Sequence, residues 1–269
     1  MSPAILEARA LGFGYGTKAV GRGVTLEVRP SEVLCLLGPN GSGKTTLFKT
    51  MLGLLPLQAG EVRLDGTPLS TLARGDIARR VAYVPQAHAA HFPFSVIDMV
   101  VMGRTAHLGL FASPTAEDRR RAAAALAALG IAGLAGAEYT RISGGQRQLA
   151  LIARSLAQEA PAIVMDEPTA SLDFGNQVLV LGEIKRLAAS GLAIVLSTHD
   201  PDHAFSVGHR VALLDGGRLI AQGAPHEVLT AERLRAVYGV SVAIERVAGG
   251  QTVCVPDYGA PAARLTGIS

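Results

Sequence analysis

The chain has 269 residues, of which 49% are hydrophobic and 17% are charged, and its formal net charge is +3. This composition excludes a mainly disordered protein, and a chain of this length can bury a sizeable core in one or two domains. The small basic excess argues against a dedicated nucleic-acid binder, which would carry a stronger and clustered one.

The two cysteines, the first residues and the longest apolar run indicate in which cellular compartment the protein is expected. Cys35 lies in the apolar run at residues 33–37, far from Cys254, so we expect a small buried side chain and no disulfide or cysteine zinc site. The first residues lack an export signal, which favours the cytoplasm. The longest uncharged apolar stretch, residues 122–137, falls short of the roughly 18 to 20 residues of a membrane span. We therefore expect any membrane association to come through a partner.

The first predicted elements are strands and a helix. Short aliphatic runs with glycine punctuation predict strands within residues 5–37, and the last run ends abruptly at Gly38. Apolar residues recur at helical spacing from Lys44 to Leu55, which predicts a helix. A strand, a glycine loop and a helix in this order are typical of phosphate sites.

The middle of the chain changes character. Residues 61–69 predict a hairpin, and a helix and a strand at residues 81–84 follow it. Between about residues 88 and 158 the composition shifts to alanine and leucine at helical spacing, with a helix start predicted at Thr115. We interpret this region as a helical insert.

Strands return in the last part of the chain. They are predicted at residues 162–165, 193–197 and 210–214, and a helix is predicted at residues 177–189. Strands that alternate with helices favour a mainly parallel sheet. After Gly239, short β-like pieces precede a loose end rich in alanine, proline and glycine.

The glycine loop fits the phosphate-loop pattern in the context that this pattern requires. Its glycines let backbone N–H groups point at a phosphate, and the helix N terminus favours the negative charge. Lys44 is placed to reach the β- and γ-phosphates and Thr45 to ligate magnesium, whereas a glycine-rich turn without a ligand is the alternative. The run is Gly38-Pro39-Asn40-Gly41-Ser42-Gly43-Lys44-Thr45.

Two carboxylates end the apolar strand predicted at residues 162–165. Asp166 and Glu167 would lie at the carboxyl edge of the sheet, where ligands of open α/β folds bind. Asp166 would hold magnesium through its hydration shell, and Glu167 would act as general base on the attacking water. Solvated loop acids are the alternative.

A second candidate anion site opens another helix, which is predicted to extend from Gln146 to Gln158. Its sequence, Ser143-Gly144-Gly145-Gln146, presents a hydroxyl and free backbone N–H groups at the helix start. One nucleotide has a single γ-phosphate, and the first loop already holds it.

Six motifs follow one another in an order that resembles the ATP-binding cassette ATPase family, over about residues 5–239. The resemblance implies an α/β P-loop NTPase core with a mainly parallel sheet, an antiparallel β region and an inserted α-helical subdomain at about residues 88–158. Residues 1–239 would form the ATPase domain, and residues 240–269 a short extension. In chain order the motifs are the phosphate loop, Gln86, Ser143-Gly144-Gly145-Gln146, Asp166-Glu167, Ser171-Leu172-Asp173 and His199.

The resemblance implies that ATP and Mg²⁺ lie between two copies arranged head to tail, each supplying its phosphate loop to one site and its Ser143 motif to the other. Tyr15 would stack on adenine, and Asp173 would link the two sites. Gln86 would sense magnesium and the γ-phosphate, and His199 would contact the γ-phosphate. The implied nucleotide-binding set is Tyr15, Gly38, Pro39, Asn40, Gly41, Ser42, Gly43, Lys44, Thr45, Thr46, Ser143, Gly144, Gly145, Gln146 and Asp173, the catalytic set Glu167, His199 and Gln86, and the magnesium set Thr45, Gln86 and Asp166.

Some positions depart from the family pattern or allow a second interpretation. Ile142 and Ser31 stand where the family usually has leucine and glycine, and neither change threatens the chemistry. His199 alone could equally be a structural histidine at the end of a strand. Residues 119–121, three arginines, are expected to form a solvated helix face. The other histidines are not expected to converge on a metal, although His88 and His91 could do so: His88, His91, His107, His203, His209 and His226.

One cassette without a membrane span resembles a separate ATPase subunit that docks on polytopic permease subunits at the cytoplasmic face of the membrane. Residues 94–104 would form the groove for the permease, with core packing as the alternative. Residues 102–104 and the tail around Tyr238 resemble importers of iron-siderophore, haem, cobalamin and molybdate-type cargo, which a periplasmic or surface binding protein delivers.

Two other functions compete with transport. A soluble cassette ATPase acting on nucleic acid or ribosomes usually has two cassettes or a long insertion, and the low net charge argues against it. A P-loop phosphotransferase has no use for the Ser143 motif. No nucleic-acid partner is expected.

Overall fold

In the computed structural model, which describes residues 3–86, 93–109, 111–170 and 172–259, strands and helices alternate along most of the chain. The strands are β1 (Leu6–Tyr15), β2 (Lys18–Val28), β3 (Val33–Leu37), β4 (Ala59–Leu64), β5 (Thr67–Pro68), β6 (Val81–Val84), β7 (Ala162–Met165), β8 (Ala193–Thr198), β9 (Arg210–Asp215), β10 (Arg218–Gly223), β11 (Val242–Arg246) and β12 (Thr252–Pro256). The helices are α1 (Lys44–Met51), α2 (Arg74–Arg80), α3 (Val96–Val101), α4 (Ala116–Ala128), α5 (Gly144–Ala157), α6 (Phe174–Ala189), α7 (Pro201–Val207), α8 (Pro225–Val228) and α9 (Ala231–Tyr238).

The central sheet has the order β10-β9-β3-β8-β7-β6, and its strands are parallel except β10 at one edge. Parallel strands end at the same edge of the sheet. The segments that follow β3, β6, β7 and β8 therefore meet there, and they carry the phosphate loop, Gln86, Asp166-Glu167 and His199. This confirms the predicted mainly parallel sheet.

Two apolar layers cover the central sheet. Along β3, Leu34 and Leu36 pack into a core with Phe13 and Phe48, under the antiparallel sheet β2-β1-β4-β5 and helix α1. Cys35 points to the opposite core and is fully buried, and burial raises the pKa of its thiol to about 12. Because β3 is buried on both faces, its sequence is a continuous apolar run.

Helices α3, α4 and α5 pack on one another in the region predicted to be helical. Thr115 caps α4 in a capping box with Asp118, at the predicted start. Arg104 is buried against this turn, with Nε 3.0 Å from Asp118 Oδ1 and one terminal nitrogen donating to Ala157 O at 2.7 Å. The buried arginine thus ties α4 to the end of α5.

Three helix ends differ from the prediction. Helix α1 ends at Met51 instead of Leu55, because Gly53 adopts a positive φ of 69° and turns the chain. Helix α5 begins at Gly144 instead of Gln146, and α6 at Phe174 instead of Gln177, because Ser143 and Asp173 act as N-caps.

The β-like pieces predicted in the tail form a hairpin, β11 with β12, whereas the loose end predicted beyond them lies outside the described residues. Ser31, a departure from the family pattern, has a φ of 61°, in the left-handed region that favours glycine. Every helix that the structure describes is too short or too polar to span a bilayer.

Candidate active site

A cleft of about 470 Å³ opens at the carboxyl edge of the central sheet. It brings together residues that are far apart in the sequence, because they follow β3, β6 and β7. Asp166, Tyr15 and His199 lie around this cleft rather than along its wall. The lining residues are Val20, Asn40, Gly41, Gly43, Lys44, Thr45, Thr46, Gln86 and Glu167.

The phosphate loop joins β3 to α1. Gly41 and Gly43 have φ angles of 80° and 101°, which side chains other than glycine rarely tolerate. No side chain caps the start of α1, so its first N–H groups remain available to an anion. The Ser42 hydroxyl is buried and has no hydrogen-bond partner among the described residues. A phosphate oxygen could accept hydrogen bonds from the Ser42 hydroxyl and from these free N–H groups.

Lys44 is buried at the start of α1 and only 5% exposed. Its ammonium donates to Gly38 O at 2.8 Å and to Pro39 O at 3.2 Å, and it lies 3.2 Å from Glu167 Oε1. A buried cation is stable only with such partners. Carbonyl oxygens of the phosphate loop therefore hold the Lys44 ammonium at the cleft.

Asp166 and Glu167 follow β7 and are both anchored by Ser197 at the end of β8. The Ser197 hydroxyl donates to Asp166 Oδ1 at 2.7 Å and accepts the Glu167 N–H at 2.9 Å. Asp166 is almost completely buried, and its second oxygen lies 3.3 Å from the Tyr83 hydroxyl. Burial, reinforced by the negative charge of Asp166, raises the pKa of Tyr83 above its ordinary value.

His199 follows β8 and lies beside Glu167. Its Nδ1 is 3.4 Å from Glu167 Oε2, and about half of its side chain (51%) is exposed. Glu167 has a φ of 46°, a left-handed backbone conformation that is unusual for a glutamate. Strained backbone of this kind is often found at functional sites.

Tyr15 and Gln86 border the same region. Tyr15 ends β1, is half exposed, and places its hydroxyl 3.4 Å from Thr46 Oγ1. Gln86 follows β6 and lines the cleft. Together with Thr45 and Asp166, Gln86 supplies a hydroxyl, an amide and a carboxylate, which are the oxygen ligands that Mg²⁺ prefers.

The Ser143 motif does not line this cleft. Ser143 and Gln146 cap α5 reciprocally, since Ser143 Oγ accepts the Gln146 N–H at 3.3 Å and Gln146 Oε1 accepts the Ser143 N–H at 3.0 Å. Gly145 packs so closely on α6 that a Cβ there would lie 2.1 Å from Asn176 Oδ1. Asp173 Oδ1 in turn accepts the Asn176 N–H at 2.8 Å. The Ser143 motif and the start of α6 at Asp173 therefore form a packed cluster that is separate from the lining of the cleft.

Some predicted positions lie outside the described residues, namely Ser171, His88 and His91. Within the described ranges, no group of three or more histidine, cysteine or acidic side chains could hold a metal ion. Three residues of this region were not predicted from the sequence: Ser197 and Tyr83, which contact the Asp166-Glu167 segment, and His203, which contacts Thr169 and Thr198. The polar end of the apolar strand β8 was the available signal for Ser197.

This fold and cleft define a P-loop nucleoside triphosphatase. The chain matches the model of the ABC transporter family over residues 22–170. It belongs to the ABC transporter family and is an ATP-binding, ATP-hydrolysing subunit within it.

Similar proteins cover most of the chain. An uncharacterised ABC transporter ATP-binding protein of Haemophilus influenzae is 44% identical over 237 residues, 88% of this chain and 90% of the relative. The hemin import ATP-binding protein HmuV of Thermobifida fusca is 40% identical, over 89% and 84%. A solved chain of a transporter described as metal-chelate type, in an inward-facing conformation, has a TM-score of 0.85 and 32% identity, over 96% of this chain and 98% of that one.

Proposed function

We propose that this chain powers the import of a metal chelate, such as haem or an iron chelate, through separate membrane permease subunits. The cargo class is supported by the relative described as a hemin import ATP-binding protein and by the likeness to a transporter described as metal-chelate type. Residues 1–239 serve as the ATPase domain with a helical subdomain at about residues 88–158, and residues 240–269 as an extension.

The observation that carries the catalytic proposal is the convergence on one cleft of the segments that follow β3, β6 and β7, with Glu167 facing Lys44 at 3.2 Å. Lys44 binds the β- and γ-phosphates, and the free N–H groups of the phosphate loop surround them. Glu167 accepts a proton from the attacking water. His199, which is beside Glu167, contacts the γ-phosphate, and Tyr15 stacks on adenine.

The oxygens of Thr45, Gln86 and Asp166 fit a magnesium ion. Asp166 is anchored by Ser197 and Tyr83 and does not line the cleft, so its carboxylate would reach the ion through a water molecule. Mg²⁺, when bound, neutralises charge on the β- and γ-phosphate oxygens. The three side chains keep the phosphates in line with the water that Glu167 activates.

The nucleotide-binding site is completed by a second copy of the chain. The Ser143 motif lies outside the cleft of its own chain, while its helix start still offers N–H groups to an anion. Two copies arranged head to tail place each Ser143 motif on the other copy's nucleotide, and Asp173 lies beside that motif to link the sites. Hydrolysis followed by loss of the phosphate then removes the charge that holds the copies together.

A second groove, of about 470 Å³, is the docking site for the permease. Residues 94–104 divide between both predicted roles: Val96, Val100 and Val101 are buried in the core, whereas Met102 and Gly103 line the groove. Docking there places the chain at the cytoplasmic face of the membrane. An extracytoplasmic binding protein delivers the cargo to the permease.

Reconstituted uptake tests this function. Vesicles that contain the permease copurified with this chain, with the binding protein added outside, are expected to accumulate haem or an iron chelate only with ATP inside, where the chain is docked. Vesicles with Glu167→Gln should carry the same amount of chain and show no uptake. ATP-dependent uptake that persists in the Glu167→Gln vesicles, or no uptake of any chelate by the wild type, would contradict the proposal.

A further inference from the structure

The loops that carry Glu167 and His199 are joined by a second connection besides Ser197. Strands β7 and β8 are neighbours: the loop after β7 continues through Glu167 to Thr169, and β8 ends at Thr198, directly before His199. Helix α7 starts directly after the His199 loop and places His203 next to both threonines. His203 Nδ1 lies 3.2 Å from Thr169 Oγ1 and 3.3 Å from Thr198 Oγ1.

The other ring nitrogen of His203 is also engaged. Its Nε2 lies 3.5 Å from Asp200 Oδ2, and Asp200 is the N-cap of α7. The ring is only 12% exposed, and burial lowers its pKa. A neutral ring has one donor and one acceptor, so Nδ1 accepts a threonine hydroxyl while Nε2–H faces Asp200.

Helix α7 is held on its other side as well. The Cys254 N–H of β12 donates to Asp202 Oδ1 at 2.7 Å, and β12 packs along the helix. His203 therefore projects from a helix that is fixed by the C-terminal hairpin. It does not line the cleft, so it has no direct contact to offer the substrate.

We propose that His203 is a positioning residue for hydrolysis, which holds the His199 loop in register with the Glu167 loop through Thr198 and Thr169. This inference rests on the roles of Glu167 and His199 under the proposed function. A side chain at position 203 without a polar atom near Nδ1 lets the two loops shift relative to one another. A shift of about 1 Å in a catalytic geometry can cost roughly a hundredfold in rate.

Three substitutions separate the contacts of the ring. In His203→Asn the amide lies as many bonds from the backbone as Nδ1, so it can still bond the threonines. In His203→Gln the amide corresponds to Nε2, and His203→Leu removes both contacts. We expect kcat for ATP to fall at least about tenfold in the leucine and glutamine variants and less than about threefold in His203→Asn, with KM for ATP within about twofold of wild type.

Phe205→Leu is the control for loss of packing, because Phe205 lies on the same helix and packs partly buried on the core. It should lower the melting temperature without lowering kcat. Equal kcat in the three His203 variants, or a Phe205→Leu variant that loses as much kcat, would overturn the inference. Glu167→Gln, assayed in parallel, tests the underlying proposal. If this variant hydrolyses ATP at the wild-type rate, the proposed role of Glu167 is wrong. If Glu167→Gln is inactive but His203→Leu hydrolyses ATP at the wild-type rate, only the inference about His203 is wrong.

Discussion

Glu167 and Lys44 form an ion pair in the nucleotide cleft, with 3.2 Å between Oε1 and Nζ. Lys44 is the side chain that a triphosphate would engage, so an entering γ-phosphate competes with Glu167 for the same ammonium. Under the proposed roles, Lys44 would turn to the phosphate and Glu167 would be released toward the attacking water. The ion pair would then link the availability of the proposed base to occupancy of the cleft.

The Glu167→Gln variant should bind ATP but lose turnover at least about a hundredfold, because the water loses its base while the phosphate loop is unchanged. Phosphate release and nucleotide binding are measured on the same preparation. Glu183→Gln, at a half-buried position of α6 that does not line the cleft, is the matched control and should retain wild-type activity. Hydrolysis by Glu167→Gln at a rate near wild type would reject the assigned role.

Lys44→Ala should weaken ATP binding at least about tenfold, because the triphosphate loses its buried cation. Calorimetric titration with ATP measures the affinity. Lys49→Ala removes a lysine from the same helix that does not line the cleft, so its affinity should stay within about twofold. An unchanged affinity in Lys44→Ala would show that the lysine does not contact the phosphates.

Arg104→Met should lower the free energy of unfolding by about 3 kcal/mol at pH 7, because Asp118 would lose its buried partner. The Thr115 N–H and hydroxyl, together with Arg104, hold the pKa of Asp118 well below its usual range. This stabilisation is present above the pKa of an unfolded aspartate, near 4, and is lost as the pH falls toward the lowered folded-state pKa.

Urea unfolding at pH 7 and at pH 3 measures both parts of that prediction. The difference between Arg104→Met and wild type should be smaller at pH 3. Arg120→Met, on the exposed face of the same helix α4 as Asp118, should change stability by less than about 0.5 kcal/mol at either pH. A pH-independent effect of Arg104→Met would show that the charge of Asp118 is not involved.

Gly103→Ala should destabilise the wall of the groove proposed to receive the permease, because a Cβ there would lie 2.0 Å from the Arg154 carbonyl oxygen. Forcing these groups apart is expected to cost about 1 to 3 kcal/mol. ATP affinity should be unchanged, since Gly103 lies outside the nucleotide cleft. Gly133→Ala, where a Cβ meets open space, is the control. Equal melting temperatures for the two variants would contradict the close packing.

Local patterns and the family resemblance identify every residue that lines the cleft except Val20. The strand, glycine loop and helix around Lys44 are contiguous, and so are the strand and carboxylates at Glu167, so each could be recognised alone. The connections made by Ser197 and His203 could not, because they depend on β7 and β8 being neighbours. The start of α4 followed from the Thr115 capping pattern, whereas the end of α1 depended on the backbone conformation of Gly53.

The central claim is that ATP joins two copies of this chain, each contributing a motif that the other's cleft lacks. Light scattering on the hydrolysis-deficient Glu167→Gln chain, with and without ATP, tests it most directly. A monomer that becomes a dimer with ATP is expected, and adding Ser143→Arg should abolish the dimer while each monomer still binds ATP. If Glu167→Gln remains monomeric when saturated with ATP, or if the Ser143→Arg double variant dimerises equally well, the shared nucleotide site does not exist.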